Sequence, residues 1–284
     1  RRAFVGYGLP IAAALSLDIL LSVSDRFLIA FFLGETAVGE YAAGYGVADK
    51  TVLLLCAGAA MAASPIVMAA YENDGPDAAR IEARRMISIL LLLGLPAATG
   101  LALVARPLAE ALIGEDLREG AISIIPWIAF SGLLNGVLIY YVSESFQLAQ
   151  KTLQRAALMI IPAVLNIGLN VILIPQLGLQ GAVIATVASY ATGVIVLALA
   201  GRRYLALPFP PLEFARIGLS SLAMWPVIAI LPDWGSWPEL VAKATAGALT
   251  YLVAAYVLNA GSARTLVRET LSRSTRPQDA QDLT

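Results

Sequence analysis

Three stretches of this chain, Met86 to Ala105, Ala156 to Pro175 and Gly181 to Ala200, each run for 20 residues without one Asp, Glu, Lys or Arg. As helices they would be roughly 30 Å long, the thickness of the hydrocarbon in a bilayer. Strands do not fit, because the runs are too long and lack the period-two alternation that membrane barrels require. The rest of the chain agrees with a helical membrane protein: 59% of its residues are hydrophobic and 14% charged, and its mean hydropathy is +0.77.

A 20-residue window gives eight candidate spans, at 9–33, 40–70, 86–105, 121–148, 156–175, 181–200, 214–231 and 241–258. Turn chemistry separates them, as in Glu72-Asn73-Asp74-Gly75-Pro76, Gln176-Leu177-Gly178 and Pro232-Asp233-Trp234-Gly235. The predicted fold is all-α, a polytopic transmembrane bundle. Prolines 10, 65, 96, 126, 162 and 226 lie inside spans or at their ends and predict kinks.

Lys and Arg test the span count. Arg1, Arg2, Arg80, Arg84, Arg85, Lys151, Arg155, Arg202, Arg203, Arg216, Arg264, Arg268, Arg273 and Arg276 fall on one side, and Arg106, Arg118 and, at a helix edge, Lys243 on the other. Fourteen against three in strict alternation predicts that both ends of this chain are cytoplasmic. The 107–120 segment and the turn with Trp234 and Trp237 then face outward, the tryptophans at headgroup level. The polar residues after Ala260 predict a mostly disordered cytoplasmic tail that can touch anionic membrane lipid. The chain begins Arg1-Arg2 without an initiating Met, which suggests a piece of a longer protein.

Inside the spans stand Asp18, Asp25, Arg26, Asp49, Lys50 and Glu144. Each costs roughly 2.5 to 3.5 kcal/mol at a helix centre, so each is expected to face a polar cavity or another charge. The dipeptides Asp25-Arg26 and Asp49-Lys50 differ in depth by only a few ångströms at ~1.5 Å per residue, so Arg26 with Asp49, or Asp25 with Lys50, could pair across the helices. Asp18, Ser22 and Asp25 share one face. Glu144 lies near the cytoplasmic end of its span and is expected to reach water. Asn166 and Asn170, four apart, can bond a neighbouring helix or a sugar hydroxyl. Charges that only glue helices together remain a competing reading of these residues.

Histidine is absent and Cys56 is the lone cysteine, so neither a disulfide nor a metal site of those ligands is expected. No Walker-type glycine loop, nucleophile elbow or metal-ligand spacing occurs. The sequence therefore predicts no enzyme, no cofactor, no metal and no nucleic-acid partner.

SDRFLIAFFLGETAVGEYAAGYGVADK (24 to 50) and NIGLNVILIPQLGLQGAVIATVASY (166 to 190) together resemble the Wzx-type oligosaccharide flippases, of the exporter superfamily that also holds MurJ and the MATE exporters. Asp25-Arg26, Gly34, Val38-Gly39, Tyr41 and Tyr45 carry the first match. Asn166, Asn170, Pro175, Gly178, Gly181, Ala182, Ala185, Thr186, Ser189 and Tyr190 carry the second. The resemblance implies two six-helix lobes around a central cavity. Residues 1–205 would be the C-terminal lobe, 206–260 two added helices and 261–284 the tail, with the N-terminal lobe missing. Asp49-Lys50 is similar to an acidic-basic pair of the lipid II flippases, with Lys where those have Arg. Lysine offers a point charge instead of a bidentate fork.

The implied function is movement of an undecaprenyl-diphosphate-linked oligosaccharide across the bacterial cytoplasmic membrane for surface polysaccharide, with a polysaccharide polymerase as a possible partner. Arg26, Lys50, Asp25, Asp49, Asp18, Asn166 and Asn170 are the expected cavity residues. A MATE-like drug/cation antiporter is an alternative, against which Arg26 and Lys50 count. A non-transporting partner of a glycan polymerase is another, against which the charges inside the spans count.

Overall fold

The computed structural model describes residues 24–262 and residue 264. Asp18 and Ser22, and nearly all of the tail, lie outside the described residues. The first helix is described over 24–33 (α1). After it come α2 (Glu35–Asp74), α3 (Pro76–Leu103), α4 (Ala105–Leu112), α5 (Glu115–Val137), a π-helical turn (Leu138–Val142), α6 (Glu144–Leu148), α7 (Thr152–Leu177), α8 (Leu179–Gly201), α9 (Pro211–Leu222), α10 (Met224–Ile230) and α11 (Ser236–Leu258). Seven helical stretches among the described residues are long and apolar enough to cross a membrane, with α5–α6 and α9–α10 each counted as one. The expected 9–33 span is the eighth, of which only α1 is described. The molecule is a multi-pass membrane protein.

The core forms where small side chains let backbones approach. Along α2 the buried positions Tyr41, Tyr45, Ala48, Val52, Cys56, Ala59, Ala63 and Val67 recur every three or four residues and make one stripe. That stripe meets α5 and α3. A Cβ at Gly132 of α5 would lie 3.1 Å from the Cα of Asp49, and one at Gly136 would lie 2.6 Å from the Cys56 sulfur. Such a seam of small residues is how helices associate closely in lipid, where water drives nothing. The α7–α8 hairpin turns at Gly178 with φ +61°, a left-handed conformation cheap only for glycine.

Two expected spans are broken. The 121–148 span is interrupted by the π turn, whose Leu138 carbonyl accepts a hydrogen bond from Ser143 Oγ at 2.7 Å. The 214–231 span breaks at Ala223, because Pro226 brings no N–H for the Leu222 carbonyl and its ring crowds that turn. Pro65, Pro96, Pro126 and Pro162 instead sit within continuous helices. The 107–120 segment, expected to face outward, begins within a short helix, α4, with Pro107, Leu108 and Ala109 buried. The helix that most exceeds a bilayer is α2, which at 40 residues is roughly 60 Å long, twice the hydrocarbon thickness.

α9 is fixed to α3, where Glu213 takes a hydrogen bond from Ser88 Oγ and lies 3.7 Å from Arg84 Nη2. α11 packs on α4, α9 and α10. Near the start of α11, Lys243 is buried and paired with Glu239 at 2.6 Å and Asp233 at 2.7 Å. The sequence had marked Lys243 only as a helix-edge charge. Trp234 and Trp237 beside it are exposed.

Candidate functional site

The polar centre of the bundle forms where α1, α2, α7 and α8 meet. Asp25 of α1 is fully buried. Tyr41 of α2 donates its hydroxyl to Asp25 Oδ2 at 2.8 Å, Thr186 of α8 donates to the same oxygen at 2.8 Å, and Asn170 Nδ2 of α7 donates to Oδ1 at 2.7 Å. Thr186 Oγ1 also lies 2.9 Å from the Ala182 carbonyl. Asn166 is one turn away: its Oδ1 accepts from Asn170 Nδ2 at 3.1 Å and from Ser24 Oγ at 3.2 Å. The two asparagines thus bond to a neighbouring helix, and both are buried.

Every hydrogen-bond partner of Asp25 among the described residues is a neutral donor. A buried carboxylate in such a nest can stay ionised on those three donors, carry a proton, or share its oxygens with a hard cation, and carboxylate, amide and hydroxyl oxygens are the ligands such cations take. Asn170 Oδ1 and Asn166 Nδ2 are buried without a hydrogen-bond partner. The first is a further oxygen donor beside the carboxylate. No group of three or more His, Cys, Asp or Glu able to hold a metal ion occurs among the described residues.

The polar line continues along α2. Tyr41 and Tyr45 stack with ring centroids 5.5 Å apart, and the Tyr45 hydroxyl lies 3.3 Å from that of Tyr190 on α8. One turn on, Asp49 is buried against α5, its Oδ1 without a hydrogen-bond partner.

The proposed cross-helix ion pairs do not form among the described residues: neither Arg26 with Asp49 nor Asp25 with Lys50. Consecutive residues on a helix point about 100° apart, so only one member of each dipeptide can face the packed lobe. In both it is the aspartate. Asp25 and Asp49 are buried, whereas Arg26 is half-buried and Lys50 exposed. The exposed edge of α2 continues from Lys50 through Thr51, Leu54 and Met61.

Glu144 corrects a second expectation. It is buried rather than interfacial, and its Oε1 accepts a hydrogen bond from Ser64 Oγ of α2 at 2.8 Å. The π turn explains this, since one extra residue in a turn rotates everything after it by about 100°. Asp25, Asp49, Asn166 and Asn170 therefore lie on the buried polar side, whereas Lys50 is exposed and Arg26 is half-buried with its Nε enclosed and without a hydrogen-bond partner. Tyr41 and Thr186 were overlooked as site residues. Their signal was present in the spacing, with Tyr41, Tyr45 and Asp49 on one face of α2 and Ala182, Thr186 and Ser189 on one face of α8.

Comparison with known proteins adds three findings. Residues 2–121 match the family model described as polysaccharide biosynthesis protein. A probable flippase, AglR of Haloferax volcanii, is 26% identical over 236 residues, covering 80% of this chain and 48% of that protein. The solved structure of the lipid II flippase MurJ in an inward closed conformation superposes with a TM-score of 0.75 at 20% identity, over 94% of this chain and 55% of that one. The chain spans about half the length of the relatives it matches. The family match and the relative agree with the two sequence blocks, and the chain shares the fold of the MurJ flippase structure.

Proposed function

We propose that this chain is one lobe of a flippase that carries an undecaprenyl-diphosphate-linked oligosaccharide across the bacterial cytoplasmic membrane for surface polysaccharide assembly. The second lobe would complete the cavity against the exposed edge of α2. Transport would proceed by rocking of the two lobes, as in other repeat-built transporters.

One observation carries the reading. Arg26 and Lys50 lie in apolar helices at similar depth, and neither has an ion pair among the described residues. Lys50 is exposed and Arg26 half-buried, while the neighbouring aspartates turn inward. Cations placed in a span without a protein counter-ion are costly unless an anion or water meets them. A diphosphate supplies that anion, and the lipid tail of such a cargo stays in hydrocarbon. Asp25, in its nest of neutral donors, is the group suited to couple the movement to a proton or cation. Both cytoplasmic termini of this chain and a polymerase partner belong to the same proposal.

Arg26→Gln and Lys50→Gln, each expressed at normal level in cells that otherwise lack the protein, should cut surface glycan sharply. Full glycan output from both variants would sink the proposal that these bases meet the cargo.

A further inference from the structure

A cavity lies away from the polar centre, walled by α3, α5, α8, the linker after α8 and Phe214 at the start of α9. It has a volume of about 600 Å3, and its walls include Leu91 of α3, Phe130 and Leu134 of α5 and Val194 of α8. No residue of α1, α2 or α7 lines it. The linker between α8 and α9 closes one side, held where Tyr141 donates a hydrogen bond to the Pro208 carbonyl. At the rim Phe209 meets Phe214 with ring centroids 5.6 Å apart, and both rings are exposed.

Three polar side chains touch this cavity: Tyr141, Ser145 and Arg202. The first two are already bonded, Tyr141 to Pro208 and Ser145 to the Val142 carbonyl at 3.1 Å. Arg202 is exposed and, like Arg203 next to it in sequence, has no ion pair among the described residues. The site therefore offers an apolar chamber with one uncompensated cation at its mouth. Its size falls in the range of single-ligand sites, roughly 300–1,000 Å3.

The geometry points to a bound anionic phospholipid, one acyl chain inside the chamber and its phosphate against Arg202. A guanidinium presents paired N–H donors that match phosphate oxygens. A zwitterionic lipid would fill the chamber equally well but leave the local positive charge less compensated. The lipid would tie α9 to the first six spans through the chamber they share, at a place remote from Arg26 and Lys50.

The test uses the intact protein, purified, stripped of lipid in detergent and exposed to vesicles of phosphatidylglycerol and phosphatidylcholine in equal amounts. Retained lipid is then counted by native mass spectrometry. Wild type should keep phosphatidylglycerol over phosphatidylcholine by about fivefold, the increment expected of one arginine near a headgroup. Arg202→Gln should bring the ratio close to one while lipid is still retained. Val194→Trp, or Ala198→Phe if the first variant does not fold, should fill the chamber and remove retention of both lipids. An unchanged ratio in Arg202→Gln, or undiminished retention in a folded chamber-filling variant, overturns the proposal. So does displacement of phosphatidylglycerol by an equimolar prenyl-diphosphate lipid, which would give the chamber to the cargo. Because retention is read without transport, these outcomes stand apart from those for Arg26 and Lys50.

Discussion

Two buried acidic groups in this molecule have met the same problem in opposite ways. Glu239, near the start of α11, is neutralised by Lys243 at 2.6 Å, with Asp233 as a second partner of that lysine. Asp25, at the junction of α1, α2, α7 and α8, has Tyr41, Thr186 and Asn170 around it and no cation among the described residues. A carboxylate locked to a lysine has its charge spoken for and serves to hold helices in place. One held by neutral donors keeps its charge available for exchange. The contrast separates a structural ion pair from the proposed working site better than burial does, since both groups are buried.

The comparison can be broken most severely at Lys243. Lys243→Ala leaves Glu239 buried without its counter-ion and should cost about 3–5 kcal/mol of stability, read as a loss of thermal stability in detergent. Adding Glu239→Leu to Lys243→Met should recover most of that loss, because a packed apolar pair substitutes well for a buried ion pair. If the double variant is no more stable than Lys243→Ala, the pair is more than a structural lock.

Asn170→Ala probes the other region and should have a smaller effect, about 1.5–3 kcal/mol for a hydrogen bond to a charged group. Asp25→Asn should be similar or slightly smaller, about 1–3 kcal/mol, since the shape and the two bonds to Oδ2 survive while the new amide N–H meets the Asn170 donor. Yet it should abolish glycan output at normal protein level. Wild-type output from Asp25→Asn would make the nest a structural device like the one around Lys243.

Asp233 gives the mildest effect. The Lys243 ammonium bonds it and holds its carboxyl below the usual value. A lowered folded value means that the contribution is present above the unfolded value, about 3.9, and is lost as pH falls through the folded one. Asp233→Asn should therefore match wild type in thermal melts below that range and differ slightly at neutral pH.

Much of this was legible in the sequence. Charge-free runs of 20 residues specify helices that cross a membrane, and turn residues separate them, so seven spans among the described residues fall where expected with their ends shifted. Asp25, Asp49, Asn166 and Asn170 could be singled out because a polar atom in such a helix requires a reason. The pairing of the charges could not be read, because position along a helix gives depth but leaves open which neighbour a side chain faces. Arg26 and Lys50 had the depth to meet aspartates and point elsewhere. Glu144 was misjudged because the π turn ahead of it rotates its side chain inward, and no spacing rule announces that extra residue. Lys243 looked like a helix-edge charge until its partners, four positions away and in the preceding turn, were seen around it.

The length of α2 has a mechanical consequence. Lys50 sits part-way along it, and Gly75, past its far end, is 25 residues on. A tilt of ~10° about Lys50 would swing that end through ~6 Å at a rise of ~1.5 Å per residue. The helix has the form of a lever whose short arm, through Tyr41, bonds Asp25 and whose long arm runs to Asp74, so that a small rotation near Lys50 would become a displacement of several ångströms at the far end.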